Sequence, residues 1–165
     1  MSLGIITDQN EFITNLTLSL YYYLKNNIQA TIEGKALTIA YDIPQTLEDV
    51  KDKLPLVVLA FGKINAGTDY ALGYGQNIRA TYSIWIYGGG FTDNRINERS
   101  RQEILSRIYS LFNRKVGISF KEYPTQVEKG LIDAEISMSN IVPATTNVAD
   151  LFRARADIIV DLMLQ

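Results

Sequence analysis

The sequence predicts an α+β fold: a mostly antiparallel β-sheet with two main helices packed on one face, plus a β-hairpin. Three observations predict it. Two segments, Thr7–Asn27 and Asp93–Asn113, place apolar residues at helical spacing. Two others, Asn77–Tyr87 and Leu151–Leu164, alternate with a period of two. Ten tyrosines and abundant Ile and Val add to the β content. With 165 residues the chain suits one domain, spanning 1–165. A domain of this size buries about 70% of its unfolded surface and stands without disulfides.

The first helix reads from "TDQNEFITNLTLSLYYYLKNN". Asp8 and Glu11 have capping-box spacing, and Ile13, Leu16, Leu20 and Leu24 recur along one stripe, widened by Phe12 and Tyr23. Tyr21, Tyr22 and Tyr23 divide between core and surface. Thr/Ile-rich alternation on both sides of Glu33-Gly34 predicts a hairpin over Ile28–Asp42, ended by Pro44. "QTLEDVKDK" has room for one helical turn. "LPLVVLAF" is continuously apolar, as a strand buried on both faces is, at Leu56–Phe61. "NAGTDYALGYGQ", Asn65–Gln76, reads as a long loop.

In "NIRATYSIWIY", Ile78, Ala80, Tyr82, Ile84 and Ile86 face the core. Arg79, Thr81, Ser83, Trp85 and Tyr87 face away, mixing polar and aromatic groups as a contact surface does. The second helix carries Ile96, Ser100, Ile104, Ile108 and Phe112 four apart, with Thr92 or Asp93 as its cap. Glu103 and Arg107 form a favourable i,i+4 pair. Strands follow at "KVGISFKEY" and "GLIDAEISMSNIV", the latter with Leu131, Ala134, Ile136 and Met138 as partial core. In the last strand Phe152, Ala154, Ala156, Ile158, Val160, Leu162 and Leu164 face in, and Arg153, Arg155, Asp157 and Asp161 face out.

Composition narrows the chemistry. Histidine and cysteine are both absent, which removes the usual neutral-pH base, the usual zinc ligands and every Ser-His or thiolate arrangement. A net charge of −2 with mixed signs is not that of a protein held on nucleic acid by bulk positive charge. "MSLGIITDQNEF" has no basic region leading into a long apolar run, so no signal peptide is expected. The longest apolar run is too short to span a bilayer, and no membrane association is expected.

The triple glycine Gly88-Gly89-Gly90 lies between a strand and a helix, where phosphate cradles occur. It lacks the Lys-Ser/Thr of a P-loop, and the residue three beyond Gly90 is Asp93, an anion where a phosphate would approach. A turn with room for positive φ is the expectation. "GYGQNIR" precedes a strand rather than a helix and reads as surface loop. Asp157 and Asp161 lie about 13 Å apart along their strand, too wide for a retaining glycosidase pair. Arg95, Arg99, Arg101, Arg107, Arg114 and Lys115 crowd the second helix and its end, interspersed with Glu98 and Glu103. A salt-bridged or subunit-contacting face accounts for them, with a nucleic-acid-binding helix as the other reading. No catalytic, cofactor-binding or metal-binding residue is assigned.

The order of these elements resembles phage tail terminator proteins, also called tail completion or neck proteins, and the caps of phage-tail-like contractile devices. The resemblance is carried by the N-terminal helix, "LPLVVLAFG", "IRATYSIWIYG", "NERSRQEILSRIYSLF" and the closing strand "LFRARADIIVDLML". It runs from about Asp8 to Leu164, and the hairpin at Ile28–Asp42 matches it least.

The resemblance implies a structural virion protein, not an enzyme, located in the tail or neck after assembly in the host cytoplasm. Its copies form a ring, typically a hexamer, that ends the tail tube. The ring joins the tail tube protein to the head-side connector protein, and DNA passes through its lumen without sequence-specific contact. A connector or stopper ring of the same particle is the neighbouring alternative. Heterologous contacts that close would come from Trp85, Tyr87, Arg153, Arg155, Asp157 and Asp161, with Arg99 and the loop Gly88, Gly89 and Gly90 also at a subunit or partner interface. Asn65–Gln76 and Gly88–Phe91 would order on a neighbouring ring.

Overall fold

The computed structural model describes residues 12–28, 31–41, 50–69, 76–123, 125, 127–129, 132–144 and 152–164. In chain order the elements are α1 (Phe12–Ile28), β1 (Thr31–Ile32), β2 (Lys35–Ala36), β3 (Thr38–Ala40), β4 (Leu56–Asp69) and β5 (Gln76–Gly88). They continue with α2 (Asn94–Phe112), β6 (Val116–Gly117), β7 (Phe120–Glu122), β8 (Val127–Lys129), β9 (Ile132–Val142) and β10 (Phe152–Leu164). Six strands form the main sheet in the order β3-β4-β5-β10-β9-β6. All its pairings are antiparallel except β3 with β4. The chain is therefore α+β, with a mostly antiparallel sheet and two helices on one face among the described residues.

The helical stripes explain the core. Leu16, Leu20 and Leu24 of α1 and Ile104 and Ile108 of α2 are completely buried. They pack on the sheet face made by Val57, Leu59, Ala80, Tyr82, Ile84, Ile86, Ala154, Ala156, Ile158 and Val160. Cross-strand partners on that face alternate small with large: Ala154 opposite Ile86, Ala156 opposite Ile84, Val160 opposite Ala80. Tyr82 is buried among them and its hydroxyl lies 3.0 Å from Thr17 Oγ1. Burial pushes its phenol up to about 12, against a smaller opposing effect of that hydrogen bond.

Two buried polar residues of α1 fasten it to β7. Ser19 Oγ accepts from the Lys121 amide at 3.1 Å and donates to the Asn15 carbonyl, while Asn15 Oδ1 accepts from the Tyr123 amide at 3.2 Å. These bonds use side chains on a helix to satisfy backbone amides of a short strand and of the residue just after it.

Several elements differ from the sequence reading. The hairpin is only β1–β2, turning at Glu33 (φ 49°) and Gly34 (φ 85°), where two positive φ values make the two-residue turn that matches strand twist. Thr38–Ala40, expected as part of its second strand, instead adds to β4 in parallel. Asn65–Asp69 and Gln76, expected as loop, belong to β4 and β5. Backbone pairing with β5 carries the polar end of β4, where apolar patterning is silent. "KVGISFKEY" divides into β6 and β7, which pair with different strands. Leu131 and Asp8 lie outside the described residues.

β4 also contains a bulge that the alternation did not reveal. Phe61 is opposite Tyr82 and Lys63 is opposite Thr81, so Gly62 is the extra residue. Thr81 Oγ1 meets the Lys63 amide at 3.2 Å, and a Cβ on Gly62 would stand 2.8 Å from the Thr81 carbonyl oxygen. Only glycine lets the two strands approach so closely there.

Candidate assembly interface

The sheet face opposite the helices is set by the register of β4, β5, β10 and β9. Rows of residues cross it. Leu56, Tyr87 and Arg153 form the first; Val58, Trp85, Arg155 and Val142 the second; Ala60, Ser83, Asp157 and Asn140 the third. Lys63, Thr81, Ile159 and Ser137 follow, then Asn65, Arg79, Asp161 and Glu135. The face thus grades from apolar and aromatic at one end to charged at the other.

At the apolar end, Leu56, Val58 and Tyr87 are buried together with Val50, and Ala40, Leu54 and Trp85 pack against them. Trp85 is half-buried, and two guanidiniums lie over its ring, Arg155 at 5.5 Å and Arg153 at 5.8 Å from the centroid. Burial pushes the Tyr87 phenol up, with the Arg153 charge and hydrogen bond opposing. In the middle, Asp157 gathers three partners: Ser83 Oγ donates to it at 2.8 Å, Asn140 Nδ2 at 3.4 Å, and Arg155 Nε stands 3.1 Å away. At the charged end Arg79 meets Asp161 through two bonds, at 2.7 Å and 3.2 Å, which raises the arginine's pKa. The fork is exposed, so it orders the surface more than it stabilises the fold.

Six of the residues expected at an interface therefore share one face: Trp85, Tyr87, Arg153, Arg155, Asp157 and Asp161. Tyr87, expected as a contact residue, is instead only 6% exposed, because Val50, Leu56 and Val58 pack with it inside the chain. Sequence reasoning placed Arg79 and Ser83 on this contact-like face without naming them at the interface, and did not single out Asn140. For Arg79 and Ser83 the signal was present, since both share the alternation of Trp85. Asn140 reaches the site through strand pairing with Asp157 across the bulge at Ser139, which no local pattern announces.

The glycine loop has a different place. A Cβ on Gly88 would lie 2.7 Å from the Arg101 nitrogen and 2.8 Å from the Asn97 carbonyl oxygen, so β5 ends against α2 with no room for a side chain. Gly89 (φ 138°) and Gly90 (φ 81°) then turn the chain through conformations that favour glycine. Ser100 Oγ accepts from the Gly89 amide at 3.2 Å. Asn97 clamps Phe91 from both sides, accepting from its amide and donating to its carbonyl, each at 3.0 Å. Asp93 caps α2 by accepting from the Arg95 amide at 2.9 Å. The amides of Gly89 and Phe91, which a phosphate cradle would need, are already paired within the chain. Gly88 and Gly89 are buried, and of the three only Gly90 is exposed. Its carbonyl accepts from Lys35 Nζ, which also lies over the Phe91 ring.

Arg99 lies apart from the open face, on α2, 3.5 Å from Glu33 of the hairpin turn. Its neighbours are also paired: Arg95 with Asp93, Arg101 with Glu98, Arg107 with Glu103. Among the described residues no group of three or more His, Cys, Asp or Glu side chains is placed to hold a metal ion. No described helix is long and apolar enough to cross a membrane. No family model matches the chain, and no curated protein matches it.

Proposed function

We propose that the protein is a structural subunit of a phage tail or tail-like device, assembling as a ring that terminates the tail tube and joins it to the head-side connector. The observation that carries this reading is the sheet face opposite the helices, where half-buried Trp85 lies under Arg153 and Arg155 and next to the Asp157 cluster. Tryptophan, tyrosine and arginine are the residue types enriched at the energetic centres of protein interfaces. An ordered row of arginines and aspartates adds the charge complementarity that selects register and partner. The element order shared with tail terminators supports the choice of assembly, with DNA passing the ring's lumen without base contacts. The protein acts by binding, with no cofactor and no catalytic step.

Native mass spectrometry after co-expression with the particle's tail tube protein tests the proposal. The expected species is a closed homo-oligomer of about six copies. A strict monomer at every concentration, never recovered with tube, contradicts it.

A further inference from the structure

A groove of about 460 Å³ separates the C-terminal end of α2 from β9. Its floor includes buried Phe112 and partly buried Met138 and Ile141. Exposed Arg114 and Lys115 line its rim, and no acidic side chain does so among the described residues. Tyr109 lines it too, with 50% exposure, the highest of the exposed large hydrophobics. One wall is β9 itself. Its inner edge pairs with β10, whereas β6 covers its outer edge only at Glu135 and Ile136. From Ser137 to Val142 that outer edge has no strand partner among the described residues. Alternate residues of an edge strand direct their N–H and C=O groups outward, where another chain can pair with them.

We propose that this groove docks an extended acidic segment of a partner protein, which adds a strand along β9 and sets its carboxylates against Arg114 and Lys115. Charge decides the occupant. Arg114 has no carboxylate within ion-pair distance among the described residues, and Lys115 meets only Glu135, at 3.4 Å between largely exposed side chains. Such a pair is weak and exchanges readily for a better-placed anion. The apolar floor accepts every second side chain of an extended segment, as strand addition requires. The bulge at Ser139 interrupts the edge, so indiscriminate pairing is discouraged and side-chain contacts set the choice. A nucleic acid is the poorer fit, because two cations neutralise few phosphates while the backbone edge and apolar floor go unused.

Binding is measured on the whole protein alone, so the outcome is separate from whether a ring forms. The probe is a short fluorescein-labelled peptide alternating valine with glutamate, followed by fluorescence anisotropy at low salt. R114E/K115E, at two exposed positions, is expected to keep the circular dichroism spectrum and weaken binding about tenfold or more. Methylating alternate backbone nitrogens of the peptide is expected to abolish binding, which charge attraction alone does not predict. The proposal is overturned by unchanged affinity of R114E/K115E, by equal binding of the methylated peptide, or by no binding up to about 1 mM. Tighter binding of a single-stranded oligonucleotide of equal charge overturns it in favour of nucleic acid. Self-association lost in R114E/K115E, with no peptide binding, overturns it in favour of a second copy.

Discussion

Gly88 touches Arg101: a Cβ at position 88 would stand 2.7 Å from the backbone nitrogen of Arg101, closer than real Cβ contacts come. The end of β5 and the first turns of α2 are therefore joined backbone to backbone. Gly88→Ala is expected to lower stability by about 1–3 kcal/mol through overpacking. Gly34→Ala is the contrast. Nothing lies within 4 Å of a Cβ there, but its φ is +85°, so only the left-handed backbone costs, about 1 kcal/mol. Denaturant titration of both variants checks the order; equal losses would mean that Gly88 is not held by contact with α2.

Asn97 is expected to keep the glycine loop closed. Asn97→Ala removes the partners of both the Phe91 amide and carbonyl and should cost about 1–3 kcal/mol. Amide hydrogen exchange at Phe91 should accelerate in the variant while exchange in β10 changes only with global stability. Unchanged protection at Phe91 would show that the loop is held by something else.

Tyr82 gives the fold an alkaline dependence. Its phenol is raised from 10.0 to about 12 in the folded state by burial, so unfolded chains ionise first as pH rises. The stability it contributes is complete below pH 10.0 and is lost between 10.0 and about 12. Two units correspond to about 3 kcal/mol. Thermal melts across that range should show wild type losing stability relative to Tyr82→Phe as pH rises, because the phenylalanine variant lacks this ionisation. Parallel pH profiles would rule the assignment out.

The open face is expected to matter for assembly more than for folding. Arg153→Ala/Arg155→Ala removes both guanidiniums over Trp85 and leaves the helix-side core intact. Self-association should fall about tenfold or more, since arginine and tryptophan hot spots each carry more than 1 kcal/mol. Sedimentation velocity across a concentration series measures this. Full oligomer in the double variant would move the interface elsewhere.

How much of this was legible follows the physics of each signal. Helical stripes and period-two alternation report burial, so the core face of β5 and β10 and the placement of Trp85, Arg155 and Asp157 on the other face were readable. Backbone pairing leaves no such trace. For that reason the polar half of β4, the parallel attachment of β3, the bulge at Gly62 and the reach of Asn140 to Asp157 were missed or misread. The missing lysine and hydroxyl led to the expectation of a turn at the glycine triplet, and Gly89 and Gly90 do turn the chain at positive φ. The sequence did not reveal that Gly88 and Gly89 are covered by α2, because that contact depends on where α2 packs rather than on any local motif.

Electron microscopy of tubes made by co-expressing the protein with its tail tube protein tests the central claim most directly. A ring at one tube end, with tube length limited in its presence and unlimited with Arg153→Ala/Arg155→Ala, is the predicted result. Bare tube ends, with the wild-type protein remaining a free monomer, would contradict it.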